Sequence, residues 1–94
     1  MSCDILQEVF EIIRQRKESM PRGSYVASLF EKGEDKILEK IGEEAVEVIL
    51  ASKSGGREEL IYESADLVFH LMVLLAAKGV ELEEVYEELR RRRR

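Results

Sequence analysis

The chain has 94 residues, 45% hydrophobic and 37% charged, with a net charge of −5 from 20 acidic and 15 basic side chains. That balance excludes a disordered chain, and an acidic overall field gives nucleic acid no general attraction. A single cysteine, Cys3, excludes an internal disulfide, and with only one histidine beside it a zinc site is disfavoured.

The first helix is expected from about Asp4 to Ser19, where Ile5, Val9, Ile12 and Ile13, with Leu6 and Phe10, form one apolar face. Asp4 and Glu8 stand within the first ten residues, which does not suit a secretory leader, so a cytoplasmic protein is expected. Pro21 and Gly23 then break the pattern. A short helix follows from Ser24, a residue able to cap it, to about Glu31. Beyond Gly33 the third helix runs from about Glu34 to Lys53, with an apolar stripe of Ile37, Ile41, Ala45, Val48 and Ser52 flanked by Leu38 and Ile49.

Gly55-Gly56 separates this from a fourth helix, about Arg57 to Lys78. It is apolar nearly all round after Asp66, the pattern of a buried helix. Its longest apolar stretch, Leu67 to Ala77, is interrupted by His70 and is too short to span a bilayer, so no membrane partner is expected. After Gly79 the last helix runs from about Leu82 into the arginines, with Leu82, Val85, Tyr86 and Leu89 facing inward and residues 89–94 as a fraying basic tail. No segment alternates with period two, so no sheet is expected.

The reading is one all-α domain over residues 1–94, an antiparallel bundle of four to five helices. A chain this short buries only about 60–65% of the surface its unfolded form exposes. Dimerisation through surfaces such as Val68, Met72 and Leu75 is expected to complete the core.

Four carboxylates stand out from the rest. Glu44 and Glu47 are three apart on the third helix, and Glu63 and Asp66 are three apart on the fourth, so each pair shares a face. Like charges at that spacing repel, and Asp66 stands at the mouth of Leu67-Val68-Phe69, where an ionised carboxylate needs compensation. A hard divalent cation compensates such a group, and oxygen ligation suits Mg²⁺, Mn²⁺ or Ca²⁺. Chance acid pairs in a helical chain with 20 acidic residues are the competing account, and Glu83 with Glu87 and Glu84 with Glu88 belong to a solvated face. Lys36, Lys40, Glu47 and Ala51 fall in one stripe with Glu44 at its edge, which places two lysines to hold phosphates, or else to pair with nearby acids. His70, one turn after Asp66, is either a core histidine or a group that orients a carboxylate or the substrate.

These residues belong to longer strings. Ser24-Tyr25, then Leu29-Phe30-Glu31-Lys32-Gly33-Glu34-Asp35-Lys36-Ile37, then Lys40-Ile41-Gly42-Glu43-Glu44-Ala45-Val46-Glu47-Val48, and finally Glu63-Ser64-Ala65-Asp66-Leu67-Val68-Phe69-His70-Leu71 resemble the phosphoribosyl-ATP pyrophosphohydrolases. Those enzymes are all-α nucleoside-triphosphate pyrophosphohydrolases of the MazG-like group, marked by EExxE followed at a distance by ExxD. The resemblance covers about Leu6 to Arg90. Val26 stands where threonine usually follows Ser-Tyr, and Phe69 where tyrosine usually precedes the histidine; each change removes a hydroxyl.

The resemblance implies hydrolysis of 1-(5-phosphoribosyl)-ATP to 1-(5-phosphoribosyl)-AMP and pyrophosphate, the second step of histidine biosynthesis. It implies Mg²⁺, with Mn²⁺ as a substitute, on Glu44, Glu47, Glu63 and Asp66. It implies catalytic roles for Glu43, Glu44, Glu47 and His70, with Glu43 supporting the site or activating water, and substrate contacts from Ser24, Tyr25, Lys36 and Lys40. A homodimer is implied, with the cyclohydrolase of the next step as a separate chain. Two rivals remain: a sister enzyme acting on dUTP, dCTP or damaged triphosphates, and a non-catalytic helical module holding an acidic partner through Arg90 to Arg94.

Overall fold

The computed structural model describes residues 4–93, so Cys3 and Arg94 lie outside it. Five helices follow one another: α1 (Ile5–Ser19), α2 (Tyr25–Lys32), α3 (Glu34–Ser54), α4 (Arg57–Lys78) and α5 (Leu82–Arg91). No strand occurs among the described residues. The expected helices are therefore all present, and α5 continues through Arg91 where fraying was expected from residue 89.

Local chemistry sets the boundaries. Asp4 starts α1 by accepting the Leu6 and Gln7 N–H groups at 3.1 and 3.4 Å. Ser24 starts α2 by accepting the Ala27 N–H at 3.1 Å. One residue, Gly33, separates α2 from α3, and its φ of 101° is open to glycine and strained for other residues. Gly79 at φ 71° ends α4 in the left-handed region, and the Val80 N–H reaches back to the Leu75 carbonyl at 2.9 Å. α1 ends at Ser19, as expected, with Met20 as its cap in the left-handed region at φ 47°, ahead of Pro21.

α3 and α4 form the central hairpin. Only Gly55 and Gly56 separate them, and Lys78 Nζ meets Glu34 Oε1 at 3.2 Å, joining the end of α4 to the start of α3. The two long helices are thus antiparallel, with their middles face to face. α1 lies along α4 in the same direction, with Ile5 and Leu6 near Ser64 and Ala65, and Lys17 Nζ donating to the Ala76 carbonyl at 2.9 Å. α2 carries the chain across between α1 and α3. The core joins Phe10 and Ile13 of α1, Leu29 of α2, Ile37 of α3, Met72, Val73 and Ala76 of α4, and Leu82 of α5.

Several expected inward faces turn out differently. On α1, Ile5 and Ile12 face outward while Phe10 and Ile13 enter the core. On α3 the buried line is Ile37, Glu44 and Ala51, and Ser52, Leu38 and Ile49 are exposed. Leu89 of α5 is exposed as well. α4 is not buried all round: Val68 is 40% exposed, and Leu60, Ile61, Tyr62 and Leu71 are also open. Met72, expected on an association surface, belongs to the chain's own core. The physical reason is area: α1 and α3 cover two sides of α4, and among the described residues the shorter helices α2 and α5 meet it only slightly. By length and composition α4 could cross a bilayer, yet its buried residues pack within this bundle.

Ile13 has no exposed surface and lies at the centre of the α1–α4 contact. Ile13→Val should lower stability by about 0.5–1.5 kcal/mol and Ile13→Ala by about 2–5 kcal/mol. Urea unfolding of the two variants checks this gradation.

Candidate functional site

Ile37, Glu44 and Ala51 are seven residues apart, so they fall almost on one line along α3. Glu44 therefore occupies a position in the α3–α4 seam where an apolar side chain would pack, and it is only 6% exposed. An ionised carboxylate there costs several kcal/mol unless it is compensated. Lys40, one turn earlier, places Nζ 3.4 Å from Glu44 and 3.5 Å from Glu43. From α4, Asp66 brings a carboxylate oxygen within 4.8 Å of a Glu44 oxygen. Burial first, then the nearby Asp66 carboxylate, which favours a shared proton and repels a second charge, push the Glu44 carboxyl above its ordinary range against the opposing pull of Lys40.

The other expected pair members face the same place. Glu63 titrates above its ordinary range, first through partial desolvation and then through the charges of Glu47, Glu44, Asp66 and Glu59. The hairpin thus brings the two carboxylate pairs into one negative field. Glu59, one turn before Glu63, joins them; the sequence reading passed over it, although its i,i+4 spacing was a visible signal. Glu43 and Glu47 lie at the exposed edge. Lys40 is at the cluster, whereas Lys36 pairs with Glu39 at 3.6 Å.

His70 is 3% exposed and has two hydrogen-bond partners. Its Nδ1 is 2.8 Å from the Asp66 carbonyl and its Nε2 is 2.7 Å from the Tyr25 hydroxyl. A carbonyl can only accept, so Nδ1 carries the hydrogen and Nε2 accepts the hydrogen bond that Tyr25 donates. Nδ1 is also 3.4 Å from an Asp66 carboxylate oxygen. The rings of Tyr25 and Phe69 meet the imidazole edge-on, at 5.8 and 5.5 Å between centroids. Tyr25 itself borders the cluster: its hydroxyl is raised first by burial, with Lys40 opposing and Asp66, Glu44 and Glu43 adding to the rise. Ser24 beside it acts as the helix cap already described.

Donor atoms of Glu44, Asp66 and His70 lie within 4.8 Å of one another. The donor set suits a hard divalent cation at the carboxylates: Glu44 and Asp66 bring oxygens within 4.8 Å of each other, further acids press on the same spot, and Lys40 is the cation paired with Glu44. His70 fits the role of a support better than that of a ligand, since both ring nitrogens are engaged.

An all-helical domain that presents three-apart carboxylate pairs from two facing helices has the architecture of the MazG-like all-α pyrophosphohydrolases. The profile of the phosphoribosyl-ATP pyrophosphohydrolases matches residues 6–93. The chain is 60% identical over 89 residues to a phosphoribosyl-ATP pyrophosphatase of Geobacter sulfurreducens, covering 95% of this chain and 82% of the relative. A Metallosphaera sedula protein of the same name is 56% identical, with 95% and 96% covered. A histidine biosynthesis bifunctional protein of Caldanaerobacter subterraneus is 52% identical over 89 residues, 95% of this chain but 43% of that protein. The chain belongs to the phosphoribosyl-ATP pyrophosphohydrolase family.

The raised Glu44 carboxyl has a stability consequence with a definite sign. The folded state holds that proton more tightly than the unfolded chain, so the contribution is full below about pH 4.3 and is lost as pH rises through the folded value. Without divalent cations, the stability of the wild type relative to Glu44→Gln should fall as pH rises from about 4.3 toward neutrality, and the variant should be at least as stable at pH 7. Urea unfolding across that range measures it; a relative stability that climbs with pH would contradict the geometry.

Proposed function

We propose that the protein hydrolyses 1-(5-phosphoribosyl)-ATP to 1-(5-phosphoribosyl)-AMP and pyrophosphate, the second step of histidine biosynthesis, in the cytoplasm. The observation that carries this reading is a family match over residues 6–93 that coincides with a buried carboxylate, Glu44, within 4.8 Å of Asp66 across the hairpin. The names of the 60% and 56% identical relatives support the same substrate.

Glu44, Glu47, Glu63 and Asp66 hold the metal, Mg²⁺ with Mn²⁺ as a substitute. When bound, such an ion neutralises phosphate charge and polarises the phosphoryl oxygens. The chain's own groups do the rest. Lys40, suspended between Glu43 and Glu44, turns to a phosphate oxygen when substrate arrives, and Lys36 reaches the phosphates from one turn away. Glu43, at the open edge, orients the attacking water. Ser24 and Tyr25 border the site from the start of α2. His70 holds Asp66 in place. No side-chain nucleophile is needed, because positioning and charge neutralisation are what pyrophosphate cleavage requires.

The protein acts as a homodimer. Val46, Ile49 and Leu50 of α3 and Leu60, Ile61 and Tyr62 of α4 are exposed at the same end of the hairpin, with Ile49 at 60%, and a second copy would cover them. Sedimentation should show a dimer at micromolar concentration; a folded monomer there would reject it. The cyclohydrolase of the following step is a separate chain, a reading supported by relatives matched over 82% and 96% of their own lengths. Three of the arginines that a binding module would use are paired within α5 and its end: Arg90 with Glu83 and Glu87, and Arg91 and Arg92 with Glu88.

Pyrophosphate release should be fast with phosphoribosyl-ATP, slow with dUTP, dCTP and ATP, and absent without a divalent cation. Glu47→Gln and Asp66→Asn should nearly abolish turnover. Lys40→Ala should lower kcat/KM about ten- to a hundredfold, the worth of a lost charge-assisted contact of about 1.5–3 kcal/mol. Glu83→Gln on α5 should leave the rate unchanged. Preference for dUTP over phosphoribosyl-ATP would overturn the substrate, and an active Glu47→Gln enzyme with normal cation dependence would overturn the site.

A further inference from the structure

Tyr25 has an unusual position for a half-exposed aromatic. Its ring is 49% exposed at the first turn of α2, while its hydroxyl reaches inward to the buried Nε2 of His70 at 2.7 Å. The imidazole then passes this constraint to Asp66 at two atoms, the carbonyl at 2.8 Å and a carboxylate oxygen at 3.4 Å from Nδ1. Tyr25 is fixed in its turn, because its carbonyl accepts the Ser28 hydroxyl at 2.6 Å and Ser24 caps the helix in front of it. The chain O–H(Tyr25) to Nε2, and Nδ1–H to Asp66, is polarised in one direction. With Nδ1–H committed to a carbonyl that only accepts, the lone pair of Nε2 needs a donor, and Tyr25 supplies it.

We propose that Tyr25 is a positioning residue for the divalent-cation site, acting through His70 on Asp66; this rests on the reading of Glu44, Glu47, Glu63 and Asp66 as the cation's ligands. The hydroxyl holds the imidazole in one orientation, in the tautomer that the Asp66 carbonyl sets. The imidazole in turn keeps the Asp66 side chain directed across the hairpin at Glu44 instead of rotating toward solvent. Outer partners of this type carry about ten- to a hundredfold of metal affinity or activity. The relay also gives α2 a purpose: it brings one hydroxyl from outside the α3–α4 hairpin onto the residue that supports it.

The test uses Tyr25→Phe, which keeps the ring and removes the hydroxyl, with His70→Gln and the double variant. Mn²⁺ affinity is measured on the full chain without nucleotide, alongside kcat and KM for phosphoribosyl-ATP at saturating cation. The chain has one histidine, so its imidazole nitrogen resonances are assigned without ambiguity. Expected are the Nδ1–H tautomer in the wild type, a shifted Nε2 resonance in Tyr25→Phe as the donated hydrogen bond is lost, Mn²⁺ affinity weakened roughly tenfold, and nucleotide KM changed less than twofold. The double variant should bind Mn²⁺ no more weakly than His70→Gln alone. Unchanged Mn²⁺ affinity, an Nε2–H tautomer in the wild type, or additive losses would overturn the role. A raised nucleotide KM with normal Mn²⁺ affinity would make Tyr25 a substrate contact and overturn it as well. Asp66→Asn separates this from a failure of the site itself: if it leaves Mn²⁺ binding intact, the ligand assignment falls and the relay falls with it. A wrong choice of nucleotide substrate would leave the Mn²⁺ and imidazole readouts untouched.

Discussion

The structure turns on a carboxylate placed where the seam between two helices calls for an apolar group. Glu44 follows Ile37 by seven residues and precedes Ala51 by seven, so the helix that buries those two must bury Glu44 too. A carboxylate held there is compensated by Lys40 on its own helix, whereas the Asp66 charge opposite adds to the cost of ionising it. Setting these two carboxylates face to face requires one register of α3 against α4. The two-residue Gly55-Gly56 connection and the Lys78–Glu34 contact at the far end hold the same register from the hairpin's two extremities.

From that register the remaining helices acquire distinct tasks. α1 covers one side of α4 and supplies Phe10 and Ile13 to the core. Its Lys17 donates to the Ala76 carbonyl in the last turn of α4, a carbonyl that also accepts the Gly79 N–H of the cap. α5 is tied back by polar contacts: Tyr86 donates to Asp4 at 2.7 Å and Arg14 meets Glu81 at 2.7 Å. Burial and the bond to Asp4 push the Tyr86 hydroxyl up to about 12, so it stays a donor throughout the neutral range. Asp4 thereby serves two elements at once, capping α1 with one oxygen and anchoring α5 with the other.

The helices were legible because their punctuation is strong. Gly33, Gly55-Gly56 and Gly79 each sit at a boundary, and the observed ends differ from the expected ones by a residue or so. The pairing of Glu44-Glu47 with Glu63-Asp66 was legible for the same reason, since three-apart spacing survives any packing of the helices. Burial was less so. Periodicity named Ile12, Leu38 and Ile49 as inward, yet these are exposed, because sequence pattern reports which faces are apolar and not how many neighbours the chain has to cover them. Glu44 in the seam was hidden by its own polarity: an apolar stripe traced along α3 steps around a glutamate. The Tyr25–His70 bond joins residues 45 apart and left no spacing signal.

Charge explains how such a site can receive a polyphosphate at all. Glu44, Glu47, Glu59, Glu63 and Asp66 act on one another across the hairpin, with Lys40 as the counter-charge on Glu44. Arg90, Arg91 and Arg92 do not relieve this, because they are engaged with Glu83, Glu87 and Glu88 on α5 itself. A polyphosphate approaching that field meets repulsion, and at short range in a partly desolvated setting the repulsion is not screened by salt. Divalent cations reverse the sign of the encounter, since carboxylates on one side and phosphates on the other can share them. On the proposed reading, the same clustering that burdens the folded chain without metal would make the site selective, favouring anions that arrive with, or after, a hard cation over those that come alone.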